Sequence, residues 1–258
     1  MKQINILAIG NSFSEDATHY LHQIALADGV KAKVVNLYIG GCPLEAHWKN
    51  IEDNAANYSY QINGMYTDRL VTIKETLLEE DWDFIITQQA SYNSGLEDTY
   101  FPYVNLIYNY IKEHAPNANI LLNQTWAYEK DSTHEGFSNY NGSQSEMYEK
   151  LKRAYNKAAE TLKINIIPCG DAVQALRKIE PFQYENGGMS LCRDGYHLSY
   201  IYGRYLAAAI WYEVLFGKSI LHNTYVPVTH YAPDFKVDLD MIEIIKNCVR
   251  NIVDEYSR

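Results

Sequence analysis

Two short segments near opposite ends of the chain carry the residue types of a serine acyl-transfer site. Gly10, Asn11 and Ser12 follow an apolar run near the start of the chain, and Asp194 stands three residues before His197. An aspartate at this spacing can hold the imidazole through Nδ1 and leave Nε2 free to take a proton from a serine. A serine at the mouth of a helix also lies near backbone N–H groups that can stabilise an oxyanion. Taken alone, the first segment is equally consistent with a simple helix N-cap.

Three pairs in the chain have the Asp-x-x-His spacing, so the spacing alone does not identify the base. They are Asp16 with His19, Asp131 with His134, and Asp194 with His197. His19 falls seven residues after Ser12 on one predicted helix, about 10 Å along its axis, which is too far to reach the hydroxyl. The middle pair lies in a predicted loop that could overhang the site, so it stays an alternative to the late pair.

Short apolar runs alternate with longer helical patterns along the chain. Strands are predicted over residues 4–9, 33–39, 84–87, 119–123 and 164–167. Helices are predicted over residues 14–27, 67–80, 103–114, 145–162, 171–179, 198–216 and 238–253. Ser14 is the predicted N-cap of the first helix. Strands separated by helices imply right-handed crossovers and a parallel sheet. We therefore predict one α/β domain over residues 1–258, a three-layer α/β/α sandwich with a five-stranded parallel sheet of the flavodoxin-like type.

Parallel sheets bind ligands at the carboxyl ends of their strands, so the residues that follow each predicted strand matter most. They are Ser12 after the first strand, Gly41 after the second, Gln88 and Gln89 after the third, and Trp126 and Tyr128 after the fourth. The glycine lets the backbone approach a ligand with an N–H pointing outward, or forms a plain turn. One of the two amides should face the crevice, and the aromatic pair could form a wall against a substrate. A core position for Trp126 is equally consistent with the pattern.

Taken in this order, these residues resemble the sequence blocks of the SGNH/GDSL hydrolase superfamily. Residues 10–14 (GNSFS) are similar to its first block, with asparagine in place of the common aspartate before the serine. Gly41 matches the glycine of the second block. Asp194 and His197 match the last block, which in that family directly precedes a C-terminal helix. The third block departs from the family pattern, because Gln88-Gln89-Ala90-Ser91 replaces the usual Gly-x-Asn-Asp and Asn93 is out of register by one.

The resemblance implies a serine esterase that works through an acyl-enzyme and needs neither a cofactor nor a metal. It implies Ser12 as nucleophile, His197 as base and Asp194 as the group that orients the base. The oxyanion hole would consist of the N–H groups of Ser12 and Gly41 and the amide of Gln89, or else that of Gln88. We predict Gln88, Trp126 and Tyr128 as substrate-binding residues. The expected substrate is a short-chain acyl ester, in particular an acetyl ester on a carbohydrate. An acyltransferase with the same site, or a carbohydrate-binding protein with a dead site, remain alternatives.

Composition narrows the classes of partner. The formal net charge is −10, from 22 basic and 32 acidic residues, which disfavours nucleic acid and anionic membrane surfaces as partners. The resemblance implies a small-molecule or oligosaccharide ester as the partner, and the 23 tyrosines suit stacking on sugars as well as an ordinary core. Four cysteines without a CxxC pair are typical of free buried thiols. The apolar strand begins directly after Met1-Lys2-Gln3. This start favours the cytoplasm if Met1 is native, and the periplasm or secretion if a signal peptide was removed.

Overall fold

A mixed seven-stranded sheet forms the centre of the computed structural model, which describes residues 2–256. Its strands are β1 Ile4–Gly10, β2 Ala32–Tyr38, β3 Tyr58–Ile62, β4 Met65–Val71, β5 Phe84–Thr87, β6 Asn119–Asn123 and β7 Asn165–Ile167. Their order in the sheet is β4-β3-β2-β1-β5-β6-β7. The five predicted strands pair in parallel, as expected. The predicted strand number is wrong, because β3 and β4 extend the β2 edge in antiparallel pairing.

Helices cover the sheet in two groups. They are α1 Ser12–Thr18, α2 Leu21–Ala27, α3 Leu44–Glu52, α4 Ile73–Glu79, α5 Tyr103–His114, α6 Gln144–Leu162, α7 Cys169–Leu176, α8 Tyr202–Phe216 and α9 Leu239–Tyr256. One group packs around α8 and contains α1, α2, α7 and α9, and the other contains α3 to α6. The three-layer α/β/α prediction is thus confirmed. Among the described residues, no helix is both long enough and apolar enough to cross a membrane.

Strand β4 was predicted as part of a helix because Leu70, Ile73 and Leu77 have helical spacing. The pattern predicts a helix over 67–80, but residues 65–71 form β4, and Leu70 is exposed on it. The helix begins only at Ile73, where Thr72 and Glu75 form a capping box. Asn63 and Gly64 both have positive φ at the turn, and Asn-Gly between two strands is the sequence signal that could have revealed the hairpin.

The segment after β1 also differs from its prediction. Two helices, α1 and α2, replace one continuous helix over 14–27. The N-cap is Asn11 rather than Ser14, since Asn11 Oδ1 accepts the Phe13 N–H at 3.0 Å and Ser14 Oγ accepts the Asn11 N–H at 3.0 Å. Ser12 is consequently the first residue of α1, where backbone N–H groups have no partner inside the helix.

Candidate active site

Ser12 lies where the carboxyl end of β1 meets the loop after β2. The Asn11 side chain donates to the carbonyl of Cys42 at 3.1 Å, which ties the two loops together. Gly41 has φ of +61°, a left-handed conformation that suits glycine. Within residues 2–256, the N–H groups of Ser12 and Gly41 make no hydrogen bond. Both groups are therefore available to a ligand.

The late Asp-x-x-His segment brings its imidazole to this serine. His197 Nε2 lies 2.8 Å from Ser12 Oγ, and His197 Nδ1 lies 2.7 Å from Asp194 Oδ2. The other carboxylate oxygen of Asp194 accepts the N–H of His197 at 2.8 Å and that of Tyr196 at 3.2 Å. Burial by itself raises the pKa of Asp194, but these hydrogen bonds outweigh it and hold the pKa below the ordinary value of 3.8. The charged carboxylate can orient the imidazole so that Nε2 accepts the serine proton.

The other Asp-x-x-His pair considered for the base is not coupled in this way. Asp131 accepts a hydrogen bond from the hydroxyl of Tyr184 at 2.6 Å. His134 Nδ1 instead accepts the N–H of Gly136 at 3.0 Å. The structure therefore joins the late pair, and not this one, to the serine.

Gln89 is engaged away from the predicted oxyanion hole. Its amide nitrogen donates to the carbonyl and to the hydroxyl of Thr99, at 3.0 and 3.1 Å. Its amide oxygen accepts the N–H groups of Leu44 at 3.0 Å and Ala90 at 2.8 Å. An oxyanion donor needs a free N–H, and both N–H groups of this buried amide are in use. The structure contradicts the prediction that Gln89 completes the hole.

Gln88 is buried and hydrogen-bonds Asn11, the N-cap of α1, so it does not face a substrate. Its amide nitrogen donates to Asn11 Oδ1 at 2.9 Å, and its oxygen accepts from Asn123 Nδ2 at 2.6 Å. Trp211 Nε1 in turn donates to Asn123 Oδ1 at 3.0 Å. Gln88 is only 1% exposed, so the predicted substrate contact is wrong. The amide holds the cap that begins α1.

Trp126 and Tyr128 are likewise buried supports rather than a substrate wall. Both are 0% exposed. The Trp126 ring stacks on Phe13 with centroids 4.3 Å apart, and its Nε1 donates to the carbonyl of Tyr196 at 2.8 Å. Tyr128 shares a 2.7 Å hydrogen bond with the hydroxyl of Ser91. The prediction that these two rings contact substrate is wrong, because the loop after β6 turns them into the core.

Three half-buried rings that were not predicted as binding residues form a connected series that begins at His197. Tyr196 packs on His197 with centroids 4.3 Å apart, and His134 meets Tyr196 edge-on at 4.7 Å. Tyr92 stacks on His134 at 6.5 Å and donates to the Gly41 carbonyl at 3.4 Å. We call Tyr92, His134 and Tyr196 the aromatic rim. In the sequence, two of these rings adjoin predicted site residues, because Tyr92 follows the Gln88-Gln89 segment and Tyr196 lies inside Asp-x-x-His.

His134 presents a neutral ring in this rim. Burial lowers its pKa below the ordinary value of 6.5, with nearby His197 acting in the same direction and Glu135 opposing. Because Nδ1 accepts the Gly136 N–H, the neutral ring carries its proton on Nε2 and can donate from there. Across residues 2–256, no group of three or more His, Cys, Asp or Glu side chains is placed to share a metal ion.

Comparisons with known proteins agree with this architecture. The family whose sequence model matches residues 5–239 is described as a domain of unknown function, DUF4886. A DUF4886 family protein from Bacteroides uniformis ATCC 8492 is 37% identical, with 98% of this chain and 95% of that chain covered and a TM-score of 0.89. None of the curated proteins matches the sequence of this chain.

More distant solved structures share the fold of the predicted superfamily. A candidate SGNH hydrolase from Slackia heliotrinireducens is 21% identical over 82% of this chain and 98% of that chain, with a TM-score of 0.56. Axe2, an acetylxylan esterase from Geobacillus stearothermophilus, is 13% identical over 84% of this chain and 95% of that chain, with a TM-score of 0.52. These likenesses confirm the SGNH hydrolase fold that the sequence blocks predicted.

Proposed function

The chain belongs to the DUF4886 family, and we propose that it is a serine esterase that hydrolyses short-chain acyl esters through an acyl-enzyme on Ser12. One observation carries the proposal. Asp194, His197 and Ser12 form a continuous hydrogen-bonded series with links of 2.7 and 2.8 Å, although His197 and Ser12 are 185 residues apart in sequence. The start of a helix would account for the serine, but not for an imidazole and a carboxylate aligned behind it.

The geometry supports a two-step reaction. Ser12 Oγ bonds to the ester carbonyl carbon while His197 Nε2 takes the serine proton, and Asp194 stabilises the resulting imidazolium. The N–H groups of Ser12 and Gly41 receive the negative charge of the tetrahedral oxygen. When the intermediate collapses, the ester C–O bond breaks and His197 gives its proton to the leaving alcohol. Water, deprotonated by the same imidazole, then releases the carboxylic acid and restores Ser12.

We infer that the acyl group is acetyl and that the alcohol is a carbohydrate. The aromatic rim supports this inference, because flat rings with polar edges suit the faces and hydroxyls of sugars. The neutral Nε2–H of His134 adds a hydrogen-bond donor to the rim. The fold shared with the acetylxylan esterase Axe2 is consistent with this substrate class. The aromatic residues fully buried around the site, Phe13, Trp126 and Tyr128, are packed against one another or the core and offer no groove for a long acyl chain.

Active-site labelling tests this proposal. A fluorophosphonate should add its mass to the peptide that contains Ser12, and Ser12→Ala should abolish both the labelling and the hydrolysis of p-nitrophenyl acetate. Ser138→Ala, at an exposed serine whose hydroxyl donates to the Glu135 carbonyl, should retain both. Labelling at another serine, or turnover that survives Ser12→Ala, refutes the assignment. Transfer of the acetyl group to an added sugar at the expense of hydrolysis would instead identify an acyltransferase.

A further inference from the structure

Resting on the proposed function, we propose that Asp16 is a positioning residue that sets the place of His197 relative to Ser12. Asp16 lies on α1 one turn after Ser12 and is 0% exposed. Its Oδ2 accepts the backbone N–H of Leu198 at 2.8 Å. Its two oxygens also accept from Arg193 Nη1, at 3.0 and 3.1 Å. Arg193 and Leu198 are the residues that directly flank the segment 194–197.

A second arginine fixes the same carboxylate from α8. Arg204 Nε donates to Asp16 Oδ1 at 2.7 Å, and its side chain is 3% exposed. The guanidinium groups of Arg193 and Arg204 also both lie over the ring of Tyr200, at 4.8 and 5.1 Å from its centroid. A buried carboxylate bound by two cations and a backbone N–H has little freedom to move. Asp16 thus joins the serine helix, the histidine segment and α8 at one point.

Hydrogen bonds within the histidine segment, residues 194–197, fix the shape of its turn, and bonds to neighbouring elements fix where the turn lies. The Arg193 N–H donates to the His197 carbonyl at 2.9 Å, which closes the turn on itself. Two further bonds hold the turn to the loop after β6, from Trp126 Nε1 to the Tyr196 carbonyl at 2.8 Å and from the Glu129 N–H to the Gly195 carbonyl at 2.7 Å. The side chain of Asp16 links the backbone next to this turn directly to the helix that carries the serine.

We expect a change at Asp16 to lower kcat rather than to raise KM. A displacement of about 1 Å between reacting groups can lower a rate by about 10²-fold. The substitution Asp16→Asn keeps the volume of the side chain and an oxygen for the Leu198 N–H, but it removes the charge that holds both arginines. We expect kcat to fall by about 10- to 100-fold, with KM within about twofold of the wild type.

A matched control separates positioning from general stability. Glu213 is a buried carboxylate on the same helix α8 as Arg204, and it accepts from Arg250 Nη1 at 2.9 Å and from the Ile220 N–H at 2.7 Å. Neither partner belongs to the site. Glu213→Gln therefore removes a charge of the same kind and should lower the melting temperature without changing kcat.

The experiment measures kcat, KM and the rate of fluorophosphonate labelling of Ser12 for the full chain below each variant's melting temperature. Asp16→Asn should slow turnover and labelling together, and Glu213→Gln should slow neither. If Asp16→Asn does not fold, Arg193→Gln carries the test, because it leaves the pair of Asp16 and Arg204 in place. Wild-type kcat in a folded variant, or an equal loss in Glu213→Gln, overturns the positioning role alone. A wild-type protein that is not labelled at Ser12 overturns the proposed function and the positioning role with it.

Discussion

The substitution Asp194→Asn gives a direct test of the hydrogen-bond geometry behind Ser12. One carboxylate oxygen of Asp194 already accepts two backbone N–H groups, from Tyr196 and His197. An asparagine at this position should keep its oxygen on those two donors, because its NH₂ group cannot accept them. The NH₂ group then faces His197 Nδ1 and donates to it, so the imidazole proton moves to Nε2. In that tautomer the ring cannot take a proton from Ser12.

The expected fall in kcat follows because Asp194→Asn removes the base function of His197 while the fold is kept. Trapping the wrong tautomer in a serine triad lowers kcat by about 10⁴-fold, which corresponds to about 5.4 kcal/mol of transition-state stabilisation. KM should change little, since Asp194 lies behind the imidazole. The folded state holds the pKa of Asp194 below 3.8, so the carboxylate stabilises the protein at neutral pH and loses that contribution as the pH falls through this lowered pKa. The side chain is 38% exposed, so solvent screens this contribution and the melting temperature of the variant should fall only slightly.

The assay is steady-state hydrolysis of p-nitrophenyl acetate at neutral pH, with thermal unfolding followed in parallel. Asp131→Asn is the matched control, because it makes the same change in an Asp-x-x-His pair whose aspartate bonds Tyr184 instead of a histidine. Its kcat should equal that of the wild type. A folded Asp194→Asn protein that keeps more than about a tenth of the wild-type kcat would refute the tautomer argument.

Three further outcomes are expected. His197→Ala should lower kcat by about 10³-fold or more, whereas His134→Ala should mainly raise KM, and the reverse ranking in steady-state kinetics would move the base to the loop after β6. Gln89→Ala should destabilise the fold by about 1–3 kcal/mol in urea unfolding, because it leaves the buried N–H of Leu44 without an acceptor, and a loss of kcat at unchanged stability would restore its predicted oxyanion role. Activity in a series of p-nitrophenyl esters should fall steeply from acetyl to butyryl and vanish for octanoyl, since added methylenes must displace packed groups. Equal rates on octanoyl esters would indicate a lipase.

The predictions that held depend on periodic patterns and on chain order. The five parallel strands are apolar runs between helices, and buried β-strands of this kind are readable from a single sequence because both faces are apolar. The match to the last block of the SGNH/GDSL superfamily pointed to the Asp194 and His197 pair. In the structure this segment approaches Ser12 as expected. The same patterns did not reveal β4. It is an edge strand that exposes apolar residues such as Leu70 and Met65, so apolar and polar residues do not alternate along it as they do in a strand with one buried face.

The amino-acid sequence alone indicated Ser12, Asp194 and His197 as candidate residues, because each lies in a short segment beside a predicted strand end or helix start. Only the tertiary structure decided which polar and aromatic side chains are buried and which lie half-exposed near His197. Gln89 was assigned to the oxyanion hole by its place after β5, yet its amide is bound to Thr99. A hydrogen-bond partner ten residues away leaves no mark in the strand pattern. For the same reason the link from Asp16 to Leu198, which spans 182 residues, becomes visible only when the chain has folded and buried polar groups have found their partners.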